Sequence, residues 1–180
     1  FVDATDARAV EAAVTPRTRL VFVETIANPR TQVADLAGIA EVCARHGLVY
    51  VVDNTMTSPW LFRPSTVGAS LVVNALTKYI GGHGNALGGS VTDTGLYDWT
   101  RYPAIHDTYK SASPKLWAVT QIRKKGLRDW GGTLSAEQAH HLSAGAETLA
   151  LRMDRQCANA LALARCLAAH PSVPPLHGGR

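Results

Sequence analysis

Hydrophobic and polar positions alternate between two periods along the first half of the chain. Ala7 to Val14 carries apolar residues at helical spacing, Asp3 or Thr5 is the candidate cap, and Pro16 breaks the run. Leu20-Val21-Phe22-Val23 is continuously apolar and predicts a buried strand with a polar end at Glu24-Thr25. Helical spacing returns with Leu36, Ile39, Ala40 and Cys43, between Asp35 and His46, where Gly47 is placed to close the helix. Leu48 to Val52 and Ala69 to Val73 are two further β-rich runs, ending at Asp53-Asn54 and near Asn74. Such continuous runs predict strands buried on both faces. Alternating helix and strand imply right-handed crossovers and a mostly parallel α/β sheet flanked by helices, with ligands at the strands' carboxyl ends. Asn28, Asp53 and Lys78 each sit just beyond such an end.

From about Pro103 the strand signal disappears. Pro114 to Asp129 predicts an amphipathic helix whose Arg123, Lys124, Lys125 and Arg128 form a solvated face. Ser135-Ala136-Glu137-Gln138 starts another helix with a plausible cap, running toward Gly145. A longer helix is predicted from Glu147 to Ala169, with Leu149, Met153, Cys157, Leu161 and Ala164 on one apolar stripe packed into a core. Pro171, Pro174 and Pro175 end it and read as a turn into a further segment. A chain that begins with Phe1 and stops at Arg180 is expected to be a central fragment or a processed product.

Composition narrows the class. The chain has 180 residues, 46% of them hydrophobic, enough for a core of its own. Its formal net charge is only +4 and no basic block concentrates it, which argues against nucleic-acid binding. Charged residues make up 18%, below the roughly 25% usual in soluble domains, a hint of surface buried against other subunits. Cys43, Cys157 and Cys166 form no C-x-x-C pair and are odd in number, so they read as reduced, buried thiols of a cytoplasmic protein. No run approaches 18 apolar residues and the first residues lack the order of a signal peptide, so no membrane segment is expected.

The segment from Asn74 to Gly89 holds Lys78 and five glycines between Gly81 and Gly89. Glycines there permit close backbone approach, and a lysine ending an apolar run can present a partly desolvated amine. Such an amine attacks carbonyls, and Schiff-base formation with pyridoxal phosphate is the chemistry that uses it; a surface lysine on a flexible loop is the plain alternative. Asp53, a carboxylate at the tip of a hydrophobic strand, needs a cation or donors: a protonated pyridine nitrogen is one, nearby backbone N–H groups are another. Asn28 precedes Pro29, which disfavours a helix there; its amide can donate to a phenolate oxygen or simply form a turn. The Thr77 hydroxyl can donate to a phosphate or belong to a β-branched strand end. His83, His140 and His141 lack metal-ligand spacing, so no metal is expected, and the glycines match no nucleotide loop.

Glu24 to Pro29, Val51-Val52-Asp53-Asn54-Thr55, and Thr77-Lys78-Tyr79 with Gly82-His83 together resemble the cystathionine gamma-synthase family, the fold type I pyridoxal-phosphate enzymes of Cys/Met metabolism. Asn28, Asp53 and Lys78 stand at two equal intervals of 25 residues, as in that family. The likeness continues through Gln121-Ile122-Arg123 and Glu147 to Met153, and covers all but the last ten or so residues. It implies that residues 1–150 are part of a cofactor-binding large domain and that 151–180 are a linking helix and the start of a truncated carboxyl-terminal domain. It implies pyridoxal 5'-phosphate bound by Lys78 as a Schiff base, with Asp53 facing the pyridine nitrogen, Asn28 near the ring hydroxyl and Thr77 at the phosphate. Lys78 would also shuttle protons. The implied reaction is elimination or replacement at the β or γ carbon of sulfur amino acids or activated homoserines, in a homotetramer built as a dimer of dimers.

Three departures from the family pattern stand beside it. Ala75 occupies the place of a serine that adds a phosphate hydrogen bond, a loss of roughly 1.5 to 3 kcal/mol if nothing replaces it. The family's ring-stacking tyrosine and phosphate turn lie upstream of Phe1, and its carboxylate-gripping arginine belongs to a carboxyl-terminal domain that is essentially absent. The chain alone is therefore expected to be inactive. A noncatalytic relative that keeps the fold for oligomer contacts, or an aminotransferase-like one, are the alternative readings.

Overall fold

The computed structural model describes residues 1–173. Its framework is a single sheet in the order β1-β2-β3-β4, made of β1 (Leu20–Glu24), β2 (Val49–Asp53), β3 (Leu71–Ala75) and β4 (Gly89–Asp93). The first three strands are parallel and the fourth runs back antiparallel to β3. The expected α/β architecture is therefore present, with one strand more than the apolar runs indicated. β4 escapes an apolar search because it is short and half polar, Gly-Ser-Val-Thr-Asp. Its β-branched Val91 and Thr92 were the signal available.

Helices α1 (Ala7–Ala12) and α2 (Leu36–His46) cover one face of the sheet, where Val10, Ile39, Val42 and Cys43 pack against Val23, Tyr50, Val52 and Val72. Each fully buried aliphatic side chain contributes about 1.5–3 kcal/mol. Asp35 caps α2 by accepting the Gly38 N–H at 3.0 Å, and Gly47 closes it at φ 63°. The cap of α1 is Asp6, not Asp3 or Thr5: Asp6 is the extended residue next to the helix and takes the Arg8 N–H, while Asp3 bonds Thr5. Burial in this core pushes the Cys43 thiol up to about 11 and the Tyr50 phenol higher still; Tyr50 donates its hydroxyl to the Leu36 carbonyl.

The opposite face is covered only in its centre. Val49, Val51 and Leu71 meet Trp99 and Ala118, the latter on α4 (Trp117–Gln121). β2, buried from Val49 to Val52, matches the expected doubly covered strand, but β1 does not: Leu20 is 46% and Phe22 55% exposed. β1 is a sheet edge here, beyond the reach of α4. The predicted helix from Pro114 to Asp129 is realised as a tight first turn, α4, a π-helical stretch Ile122–Leu127 and α5 (Arg128–Trp130), with its basic residues exposed as expected.

Two helices complete the described residues. α6 (Ala136–Ala146) starts at the expected cap, Ser135, and α7 spans Leu149–Ala168. Only Met153 of the predicted α7 stripe is buried; Cys157, Leu161 and Ala164 are exposed, with nothing among the described residues covering that stretch of the helix. The expectation of three buried thiols thus holds for Cys43 alone, with Cys157 and Cys166 exposed. α3 (Ser58–Leu61) meets α7 through Trp60, whose Nε1 donates to Asp154 at 2.8 Å. Pro174 and Pro175, with the end of the proposed second domain, lie outside the described residues.

Candidate active site

Strand alternation and parallel register bring the polar strand ends together. Glu24 and Asp53 are register partners at the carboxyl ends of β1 and β2, and β3 ends at Ala75. All three line one open cleft of roughly 570 Å3, shared with Asn28, Thr55, Met56, Lys78, Tyr79, Arg152 and Gln156. Residues that stand 25 apart in sequence therefore meet in space, because each crossover returns the chain to the same edge of the sheet.

Asp53 is partly buried, and its Oδ1 accepts the Thr55 N–H at 2.9 Å. It forms no ion pair among the described residues, and it lines the cleft. Asn28 is exposed on the loop after β1, its N–H donating to Glu24 Oε2 at 3.1 Å and its amide side chain free of protein partners among the described residues; the Asn28–Pro29 peptide bond is cis. Lys78 lies in the turn after β3, where its N–H donates to the Ala75 carbonyl. The side chain is exposed, not partly desolvated, because the cleft is open to solvent above it.

Thr77 is next in sequence but does not line this cleft. Its hydroxyl accepts the Gly88 N–H at 3.0 Å and contacts the Gly88 carbonyl at 3.2 Å, tying the turn to the start of β4. Ala75 donates its N–H to Thr55 Oγ1 at 2.8 Å. Among the described residues no group of His, Cys, Asp and Glu side chains suits a metal ion.

Sequence reasoning assigned no role to Glu24, Thr55, Arg152 or Gln156. Arg152 and Gln156 are four apart on α7 and so share a helix face, a signal visible in the sequence; which face meets Lys78 depends on how α7 docks.

An amine, a carboxylate and an amide thus line one cleft at the carboxyl ends of parallel strands, the edge at which open α/β folds bind ligands. The chain belongs to the Cys/Met metabolism PLP-dependent enzyme family, whose profile matches residues 1–177. It is 42% identical over 177 residues to L-methionine gamma-lyase of Pseudomonas putida, covering 98% of this chain and 39% of that protein. It is 36% identical to O-acetyl-L-homoserine sulfhydrylase of Leptospira meyeri, over 96% of this chain and 43% of that one. The solved structure of O-acetylhomoserine sulfhydrylase from Wolinella succinogenes superimposes with a TM-score of 0.86 at 39% identity, over 95% of this chain and 48% of that one. A putative O-acetylhomoserine (thiol)-lyase from Campylobacter jejuni, whose structure carries a pyridoxyl-lysine phosphate, matches with a TM-score of 0.84 at 30% identity, over 94% of this chain and 43% of that one. The chain spans about two fifths of the length of the curated relatives it matches.

Proposed function

We propose that the protein is a pyridoxal-phosphate-dependent enzyme that eliminates or replaces a group at the β or γ carbon of a sulfur amino acid or an activated homoserine. The observation that carries this reading is the convergence of Lys78, Asp53 and Asn28 on one cleft. The donor set suits the cofactor: a primary amine for its aldehyde, an unpaired carboxylate for its ring N–H and an amide for its ring hydroxyl. When bound, the cofactor supplies an electron sink for a carbanion next to the substrate's amino group.

The chain's own residues then have separate tasks. Lys78 Nζ would hold the cofactor's aldehyde carbon and would carry a proton between substrate carbons. Asp53 would orient the ring and favour the protonated form of its nitrogen. Asn28 is fixed through Glu24 and donates to the ring oxygen. Thr77, whose hydroxyl is turned out of the cleft to Gly88, would serve the phosphate only by giving up its hydrogen bond to the Gly88 carbonyl. On this reading residues 1–150 belong to the cofactor-binding domain and 151–180 to a linking helix and the start of a carboxyl-terminal domain, with Arg152 and Gln156 of that helix still lining the cleft.

The free thiols of Cys43, Cys157 and Cys166 support a cytoplasmic setting, and no helix among the described residues is long and apolar enough to cross a membrane. Exposed Phe22 and Trp130, the latter 92% accessible, support a homo-oligomer. The test is a product assay on the full-length protein with pyridoxal phosphate, offering methionine, or O-acetylhomoserine with sulfide. Thiol or homocysteine formation that Lys78→Ala abolishes is expected. Amino-group exchange with keto acids and no elimination identifies an aminotransferase instead; no cofactor fixed on Lys78 by borohydride overturns the enzymatic reading.

A further inference from the structure

Arg152 reaches into the cleft from α7 and is tied to the turn that carries Lys78. Its Nη1 donates to the Tyr79 carbonyl at 2.7 Å and its Nη2 to the Ile80 carbonyl at 3.2 Å. The same guanidinium bonds the Gly145 carbonyl at 2.7 Å, at the end of α6, and its Nε donates to Thr148 Oγ1 at 3.0 Å. Four bonds from one planar group thus join the two residues that follow Lys78 to the α6–α7 junction.

The backbone around this clamp is shaped to admit it. The Gly81 N–H reaches the Leu76 carbonyl and the Gly82 N–H the Lys78 carbonyl, closing the turn internally and leaving the Tyr79 and Ile80 carbonyls for Arg152. Gly82 has φ +71°, and a Cβ there would overlap the guanidinium. A Cβ on Gly145 would overlap the Gly81 carbonyl, so α6 rests directly on the backbone of the same turn. Arg152 makes no ion pair among the described residues, so its donors go to three carbonyls and one hydroxyl and not to a carboxylate.

Lys78 is exposed and its ammonium has no protein partner among the described residues, so little besides its backbone fixes where the amine stands. We propose that Arg152 is a positioning residue for Lys78: by holding the Tyr79 and Ile80 carbonyls on the α6–α7 junction, it sets where the lysine amine enters the cleft. This rests on the reading of Lys78 as the cofactor-bearing amine. Lysine at position 152 offers one compact ammonium in place of a planar fork and cannot serve the three carbonyls together.

The experiment compares wild-type full-length protein with Arg152→Lys, Arg152→Ala and, as a control on the same helix, Arg155→Ala, each with pyridoxal phosphate. Three quantities are read: the rate at which cofactor becomes borohydride-fixed on Lys78, the pH midpoint of the visible band of the lysine-bound cofactor, and the melting temperature of the cofactor-free protein. Arg152→Lys is expected to slow fixation on Lys78 about tenfold or more, as displacement of a reacting group by about an ångström does, and to move the pH midpoint. Arg155→Ala is expected to behave as wild type, and guanidinium ion added to Arg152→Ala to recover part of the rate. Should Arg152→Ala not fold, Arg152→Lys decides. Wild-type rate and midpoint in a folded Arg152→Lys protein overturn the inference while leaving the functional reading intact. A wild type that fixes no cofactor on Lys78 overturns the functional reading and this inference together.

Discussion

Glu24 and Asp53 are direct register partners across β1 and β2, so two carboxylates stand side by side at the mouth of one cleft. Their bonding separates their tasks. Glu24 Oε2 accepts the Asn28 N–H, while Asp53 keeps one oxygen on the Thr55 N–H and its charge toward the cleft. Asp53→Asn is expected to weaken pyridoxal phosphate binding by about tenfold or more, the worth of roughly 1.5–3 kcal/mol for a bond to a charged group. Glu24→Gln, which keeps an acceptor for Asn28, is expected to change it by about twofold or less. Fluorescence titration of the full-length variants measures both.

Ala75 offers a gain-of-binding test. It lines the cleft and its N–H is already held by Thr55, so its backbone is fixed and its side chain is the part that changes. Ala75→Ser adds one hydroxyl beside Lys78, and an extra bond to an anionic phosphate is expected to tighten the cofactor about tenfold. The dissociation constant checks it, with Ala75→Val, which adds bulk and no donor, expected to gain nothing.

Gly145 and Gly126 predict opposite responses to the same substitution. A methyl group on Gly145 meets the Gly81 carbonyl, whereas one on Gly126 meets nothing within 4 Å. Alanine gains up to about 1 kcal/mol, through α-helix propensity at Gly145 and through the lower entropy of the unfolded chain at Gly126. Overpacking against backbone costs about 1–3 kcal/mol at Gly145 and outweighs that gain. Gly145→Ala is expected to lower the melting temperature and Gly126→Ala to raise it slightly, at about 2–4 °C per kcal/mol in a calorimetric scan.

The three thiols are expected to divide two to one. Cys157 and Cys166 are exposed and should react rapidly with a disulfide reagent in the native protein, while Cys43 waits for unfolding. Burial raises the Cys43 thiol to about 11 from 9.0, so the folded state retains a proton that the unfolded state releases. Its contribution to stability is complete below pH 9 and is lost as pH climbs from there toward 11. Cys43→Ala should remove that part of the alkaline decline, as denaturant titrations across this range would show.

Much of the framework follows from local pattern. Val49 to Val52 are legible as a strand, because a continuous run of β-branched and aromatic residues has two apolar faces to cover, and parallel strands joined by crossovers return Asn28, Asp53 and Lys78 to one sheet edge. Period predicted these elements, and the likeness to a family singled out the amine, carboxylate and amide that line the cleft. Burial of β1 and of the α7 stripe was not so determined: an apolar run records the capacity to be covered, and whether something covers Phe22 or Leu161 depends on what packs there. Only the tertiary structure decided that Arg152, 74 residues beyond Lys78, reaches back to the carbonyls following it, since a guanidinium finds partners by the docking of its helix and leaves no periodic trace along the chain.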